Sequence, residues 1–246
     1  MNLLAVDIGN TNINCGIFIN GRLARCFSIA TKDKTLYRAN LKKYLNCVVD
    51  DIIICSVVPL ACREIEKTLK KISGIKPKVL GRDVKVPIQN LYSAPKQVGQ
   101  DRLVNAYAAV KLYGSPVVVV DFGTAVTFDV VSRDREYLGG LILPGLNISL
   151  DALSERTALL PRVKLARPNA LIGKNTRGSI LSGVVYGFAA LTDDLIERLS
   201  GKIGKNAKAI GTGGNISLIG PYCKKLQAID QDLTLKGISF IHQNLV

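Results

Sequence analysis

The chain has 246 residues with 33 Lys and Arg against 19 Asp and Glu, a formal net charge of +14, and 48% hydrophobic residues with 22 Gly and 9 Pro. This balance excludes collagen-like and disordered classes, and the length predicts two compact domains, each able to bury a core. The positive charge invites a nucleic-acid reading, but the basic stretches at 22–43 and 63–85 are spread out, few aromatics interleave with them, and no helix-turn-helix, zinc-finger or RNA-recognition signature accompanies them.

The chain opens on Leu3-Leu4-Ala5-Val6-Asp7, an apolar run of four with no basic segment before it, far short of a signal-peptide core. Strands are predicted here and at 23–29, a helix near Leu36–Asn46, a strand at 52–58, and a helix at 60–72 begun after Pro59. A loop with Pro77, Pro87 and Pro95 leads to a helix over 100–113. Gly114-Ser115-Pro116 then breaks the pattern and sets the expected boundary, giving domains 1–115 and 116–246. Beyond it the pattern predicts two strands within 117–131 on either side of an Asp-x-Gly-Thr turn, a strand at 137–143 ending in Pro144-Gly145, and helices near 147–155 and 175–200. A strand at 207–211 runs into the turn Gly211-Thr212-Gly213-Gly214-Asn215, and a last helix covers 235–243. In the long helix Val184, Val185, Phe188 and Leu191 belong to a continuous apolar face, which is either core or a pairing surface. The uncharged stretch 178–192 is about 15 residues with three glycines, too short to span a bilayer, so a soluble, cytoplasmic protein without a membrane partner is expected.

Six cysteines form no C-x-x-C pair, and the one histidine is His242, so a zinc site is not expected and the thiols are read as reduced and structural.

The most informative feature is an internal echo. Leu4-Ala5-Val6-Asp7-Ile8-Gly9-Asn10-Thr11 returns 114 residues later as Val118-Val119-Val120-Asp121-Phe122-Gly123-Thr124-Ala125. Each copy is a buried strand ending on Asp, a turn through Gly, and a second β-branched strand. Such a turn offers a carboxylate and several backbone N–H groups at one point, where Gly lets a phosphate approach the chain. One copy alone is a common turn. Two, each opening its own half of the chain, predict a pair of phosphate turns facing across a nucleotide cleft. Asp129, six residues past the second turn, is read as a surface or strand-end residue.

Asp101 and Arg102 fall at the start of the helix over 100–113, where N–H groups and the helix dipole favour an anion and would keep a carboxylate ionised. The pair is either a base able to take a hydroxyl proton or simply a first-turn carboxylate with its ion-pair partner.

Taken in order, Tyr92-Ser93-Ala94-Pro95-Lys96-Gln97-Val98-Gly99-Gln100-Asp101-Arg102, Asp121-Phe122-Gly123-Thr124-Ala125, Pro144-Gly145, Arg156-Thr157-Ala158 and Gly173-Lys174-Asn175-Thr176 resemble type III pantothenate kinase over nearly the whole chain. The resemblance implies an α/β fold of two ribonuclease H-like domains of the actin/hexokinase/Hsp70 superfamily. It implies ATP-dependent phosphorylation of pantothenate, with Asp101 as general base and Gly99, Gln100, Asp101, Arg102, Tyr92 and Thr176 around the substrate. Tyr92 is equally readable as a loop aromatic that only packs. The resemblance further implies that Asp7, Ile8, Gly9, Asn10, Thr11, Asn12, Ile13 and Asn14, with Thr124, contact the nucleotide. Asp7 would hold Mg²⁺ through water, Asp121 a monovalent cation such as K⁺ or NH₄⁺, and the late Gly-rich turn would border adenosine. A homodimer held partly by the long helix is implied as well. Two other readings share the fold: a kinase of another small alcohol or sugar, and a non-catalytic regulator.

Overall fold

A computed structural model describes residues 1–45 and 49–245; Asn46, the expected end of the first helix, and Cys47 lie outside the described residues. In chain order the elements are β1 (Asn2–Ile8), β2 (Asn12–Ile19), β3 (Arg22–Ala30), α1 (Tyr37–Tyr44), β4 (Asp51–Ser56), α2 (Pro59–Ser73), β5 (Lys78–Val79), β6 (Gln89–Asn90) and α3 (Gln100–Tyr113). They continue as β7 (Val117–Phe122), β8 (Ala125–Val131), β9 (Glu136–Pro144), α4 (Leu146–Arg156), α5 (Thr176–Ile203), β10 (Lys208–Thr212), α6 (Ile216–Ile219), β11 (Ala228–Ile229) and α7 (Leu233–Gln243).

Two compact units emerge. Unit 1 is Met1–Ile88 with Ser93–Ala108 and Leu233–Val246, and unit 2 is Gln89–Tyr92 with Ala109–Asp232. The grouping therefore differs from two consecutive halves cut at 115, because α7 returns to unit 1. There Leu235, Ile238 and Ile241 share a core with Leu3, Ala5, Phe18, Ile53 and Val104. His242 on α7 sits 3.4 Å from Asp51 Oδ2, which also takes Lys78 Nζ at 2.5 Å.

The sequence echo is a structural one. In unit 1 the sheet order is β3-β2-β1-β4-β5, and in unit 2 β11-β10-β7-β8-β9-β6, so the same five-strand order recurs with β6 added at one edge. In each unit a central strand pairs antiparallel with its hairpin partner on one side and parallel with a later strand on the other, β1 with β4 and β7 with β10. Central strands covered on both faces need β-branched apolar residues throughout. Val117, Val118, Val119 and Val120 are all fully buried, as are Ile52, Ile53 and Ile54. Burying each such side chain stabilises the fold by about 1.5–3 kcal/mol. α2 begins on Pro59 and ends on Gly74 in the left-handed conformation, φ 76°, the start and stop signals of a helix that lays Ile65 and Leu69 on the sheet.

α5 is 28 residues long, and by length and composition it is apolar enough to cross a membrane. Its apolar face is instead core: Val184 and Val185 are buried in unit 2, with Phe188 and Leu191 packed against the same cluster. The face expected to offer a pairing surface is therefore covered by its own unit. Asp129 also departs from expectation. It is fully buried and accepts hydrogen bonds from Tyr137 Oη at 2.9 Å and Thr127 Oγ1 at 3.3 Å. Its strand is covered on both faces, and a carboxylate is tolerated there because hydroxyls meet it.

Candidate active site

In unit 1, β1 carries Asp7 to its C-terminal end. The chain reverses through Gly9-Asn10-Thr11-Asn12, with Asp7 opposite Asn14 and Ile8 opposite Ile13. Gly9 N donates to Asn12 O at 2.9 Å and closes the turn. Asn10, Thr11, Asn12 and Asn14 are exposed, whereas the side chains of Ile8 and Ile13 are wholly buried and leave only their backbone to line the turn. On its parallel side Asp7 lies opposite Cys55 of β4. Burial pushes the Cys55 thiol far up, and the negative charges of Asp7 and Asp101 push it further. Val57, just past β4, donates its N–H to Ile8 O at 3.1 Å and has its side chain beside Gly99, which brings the first turn and the start of α3 to one end of this sheet.

Asp101 stands in the first turn of α3, and its Oδ1 accepts from Arg102 N at 2.8 Å. Burial raises its pKa, against the opposing pull of the Arg102 N–H and the Arg102 charge. Desolvation thus shifts the carboxyl upward more than the Arg102 N–H and charge shift it down. Gly99 makes this packing possible, since a Cβ there would lie 2.4 Å from Asp101 Oδ1. The Gln100 side chain lies over Gly81, and Arg102 is 8% exposed.

In unit 2, Asp121 stands on β7 opposite Thr127 and, on the parallel side, Thr212. The late Gly-rich turn closes over it: Asn215 N donates to Phe122 O at 3.0 Å, and Asn215 Nδ2 to Gly123 O at 3.4 Å. Gly213 has φ +94°, and a Cβ on it would sit 2.3 Å from Asp121 Oδ1, so both its conformation and its space exclude a side chain. Thr124 is exposed at the tip of the hairpin. Gly145 packs on the backbone beneath it, where a Cβ would lie 2.1 Å from Thr124 O. Thr176 is exposed at the first position of α5, whose N-cap Asn175 accepts from Gly178 N at 2.8 Å. Tyr92 groups with unit 2, its ring against Gly139 of β9 and its N–H on Asn90 Oδ1 at 2.9 Å. Gly99, Gln100, Asp101 and Arg102 belong to unit 1.

Among the described residues no three His, Cys, Asp or Glu side chains converge as a metal cluster. Asp7 and Asp121 each stand one residue before the end of a strand that runs into a glycine turn. A single carboxylate among backbone and water oxygens is a donor set that suits a hard cation sharing its shell with phosphate.

Sequence reasoning missed the partners that hold the turns: Val57, whose N–H meets Ile8 O, Asn215 on the second turn, and Thr31, whose Oγ1 donates to Gly9 O at 2.8 Å. Asn215 had a signal, since it ends the Gly-rich turn already singled out. Thr31 had none.

Comparison with known proteins adds what geometry does not. Residues 3–198 match the sequence profile of the type III pantothenate kinase family. The type III pantothenate kinase of Geobacter sp. strain M21 is 42% identical over 250 residues, 98% of each chain. Two solved structures are similar in fold. The activator of 2-hydroxyisocaproyl-CoA dehydratase from Clostridium difficile, with bound ADPNP, has a TM-score of 0.56 and 10% identity over 100% of this chain and 98% of that one. A ROK family glucokinase from Streptomyces griseus, in complex with glucose and AMPPNP, has a TM-score of 0.50 and 12% identity over 98% and 99%. At such identities the likeness is one of architecture, that of two ribonuclease H-like domains.

Proposed function

Because this chain belongs to the type III pantothenate kinase family, we infer that it transfers the terminal phosphoryl group of ATP to the primary hydroxyl of pantothenate, the entry step of coenzyme A synthesis. The observation that carries the mechanism is Asp101, half-buried at the start of α3 with its carboxyl pKa raised and its Oδ1 held by Arg102 N. A carboxylate with a raised pKa is a stronger base than a solvated one. Phosphoryl transfer through a loose transition state asks mainly for alignment and charge neutralisation, so such a base suffices to orient the alcohol and take its proton. Gly99, Gln100 and Arg102 would bind pantothenate beside it, and Tyr92 and Thr176 are proposed as further pantothenate-binding residues. The first turn, Asp7 to Asn14, together with Thr124, would bind the nucleotide. Divalent and monovalent cations, when bound, would offset phosphate charge, Mg²⁺ on Asp7 through water and K⁺ or NH₄⁺ on Asp121. A cytoplasmic location suits an enzyme that draws on ATP.

The test is to incubate purified protein with ATP and Mg²⁺ and follow ADP release with pantothenate, glycerol and hexoses, in potassium, ammonium and sodium buffers. Turnover is expected with pantothenate alone, and poorly in sodium. Release with a hexose instead would point to a sugar kinase, no release with any alcohol to a non-catalytic regulator, and equal rates in sodium and potassium would remove the monovalent cation from Asp121.

We also propose a homodimer. What supports it is the outer side of α5 rather than its apolar face: Ser179, Gly183, Gly187 and Ala190 are exposed, with open space beside both glycines. In the same unit Ile142, Ile148, Leu159 and Ile172 are exposed. Small residues let a second helix approach closely, and exposed apolar side chains favour cover. Light scattering at micromolar concentration should give about 53 kDa, twice the chain mass of 26.6 kDa. A fully active species near 27 kDa would sink the proposal.

A further inference from the structure

We propose that Thr31, held by Tyr37, is a positioning residue for nucleotide binding: it ties back the carbonyl groups of the first turn so that the turn presents N–H groups to phosphate. This rests on the reading of Asp7–Asn14 as the nucleotide turn. A turn that receives an anion must turn its carbonyl oxygens away, because their lone pairs repel phosphate oxygens. Four carbonyls of this turn have donors within unit 1. Ile8 O accepts from Val57 N at 3.1 Å, Gly9 O from Thr31 Oγ1 at 2.8 Å, Thr11 O from Thr31 N at 2.9 Å, and Asn12 O from Gly9 N at 2.9 Å. Thr31 alone supplies two of the four donors, and it stands just past the end of β3, outside the turn.

Thr31 is 6% exposed, so its hydroxyl has little access to water, and its own carbonyl accepts from Tyr37 Oη. Tyr37 opens α1 and is 2% exposed within the core. Burial raises its phenol pKa, as do the charges of Asp33 and Glu64, so the phenol stays a donor. A rigid path thus runs from the core through Tyr37 and Thr31 to the turn.

The test is Thr31→Val, nearly the same shape without the hydroxyl. Losing one such bond at a part-buried acceptor predicts a rise of roughly five- to thirtyfold in KM for ATP, with kcat and KM for pantothenate within about twofold of wild type. Thr31→Ser should restore the ATP KM to within about twofold, and Tyr37→Phe should raise it in the same direction by less. Asp7→Asn is measured alongside. If it alters neither kcat nor the ATP KM, the nucleotide-turn reading itself fails. If it impairs turnover while Thr31→Val leaves the ATP KM unchanged, or raises both substrates' KM equally, the positioning role is overturned. Should Thr31→Val not fold, Tyr37→Phe decides, and an unchanged ATP KM there overturns the role.

Discussion

Replacing Asp101 with Asn is expected to lower kcat by about 10²- to 10⁴-fold, the span of general-base contributions, while pantothenate still binds. Asn keeps the shape and can still accept from Arg102 N, so only charge and proton acceptance are lost. The pH profile gives a second signature. The base acts as the carboxylate and is lost as pH falls through its pKa. Burial raises that pKa, so the acid limb of kcat/KM should lie above the ordinary carboxylate range, with activity rising through it to a plateau. The limb should vanish in the Asn variant. A variant that keeps more than half of the wild-type rate would remove Asp101 from the base role.

Gly145→Ala is expected to damage the second turn as severely. The backbone at Gly145, φ −70° and ψ 167°, is one that any residue adopts, so the exclusion is purely one of space. A Cβ would meet Thr124 O at 2.1 Å, Thr124 C at 2.8 Å and Gly123 O at 2.9 Å, all backbone atoms with no rotamer to retreat into. The turn must open or α4 must shift. Overpacking of this kind destabilises by about 1–3 kcal/mol, which lowers Tm by roughly 2–12 °C in a chain of this size. An ångström of misplacement at Thr124 should reduce kcat/KM for ATP about a hundredfold. Gly201→Ala, where the new methyl group meets open space, is the control and should leave both quantities near wild type. Unchanged rate and Tm in Gly145→Ala would show that the Thr124 turn yields freely and that its position does not matter.

What was legible in the sequence was local. The strand, Asp-x-Gly turn and hairpin are set by residues a few positions apart, and they appear twice with the expected pairing. The helices over 60–72, 100–113 and 175–200 were read from their stops and periods and lie within a few residues of those spans. The strands of two residues, β5, β6 and β11, were missed because two residues carry no period. The apolar face of α5 was seen, but a helix covered by its own sheet and one covered by a partner have the same spacing, and packing alone separated them. Asp129 was assigned outward because an isolated acidic residue gives no sign of a Tyr hydroxyl waiting eight positions on. Thr31 meets Gly9 across 22 residues, a pairing that depends on the register of β2 with β3 and on nothing local.

The return of α7 to unit 1 has a consequence for biosynthesis. Leu3 and Ile238 belong to one cluster, so that core cannot close until the ribosome has made both. Unit 2 draws its core from residues 118 to 226 and has every part it needs earlier. At roughly 5–20 residues per second, the 124 residues between Ala108 and Leu233 take about 6–25 s to synthesise. Through that interval the first-made sheet lacks the cover that Leu235, Ile238 and Ile241 give the Leu3, Ala5 and Phe18 cluster, a window in which nascent chains would recruit a chaperone, and the segment made second is the first to become protease-resistant.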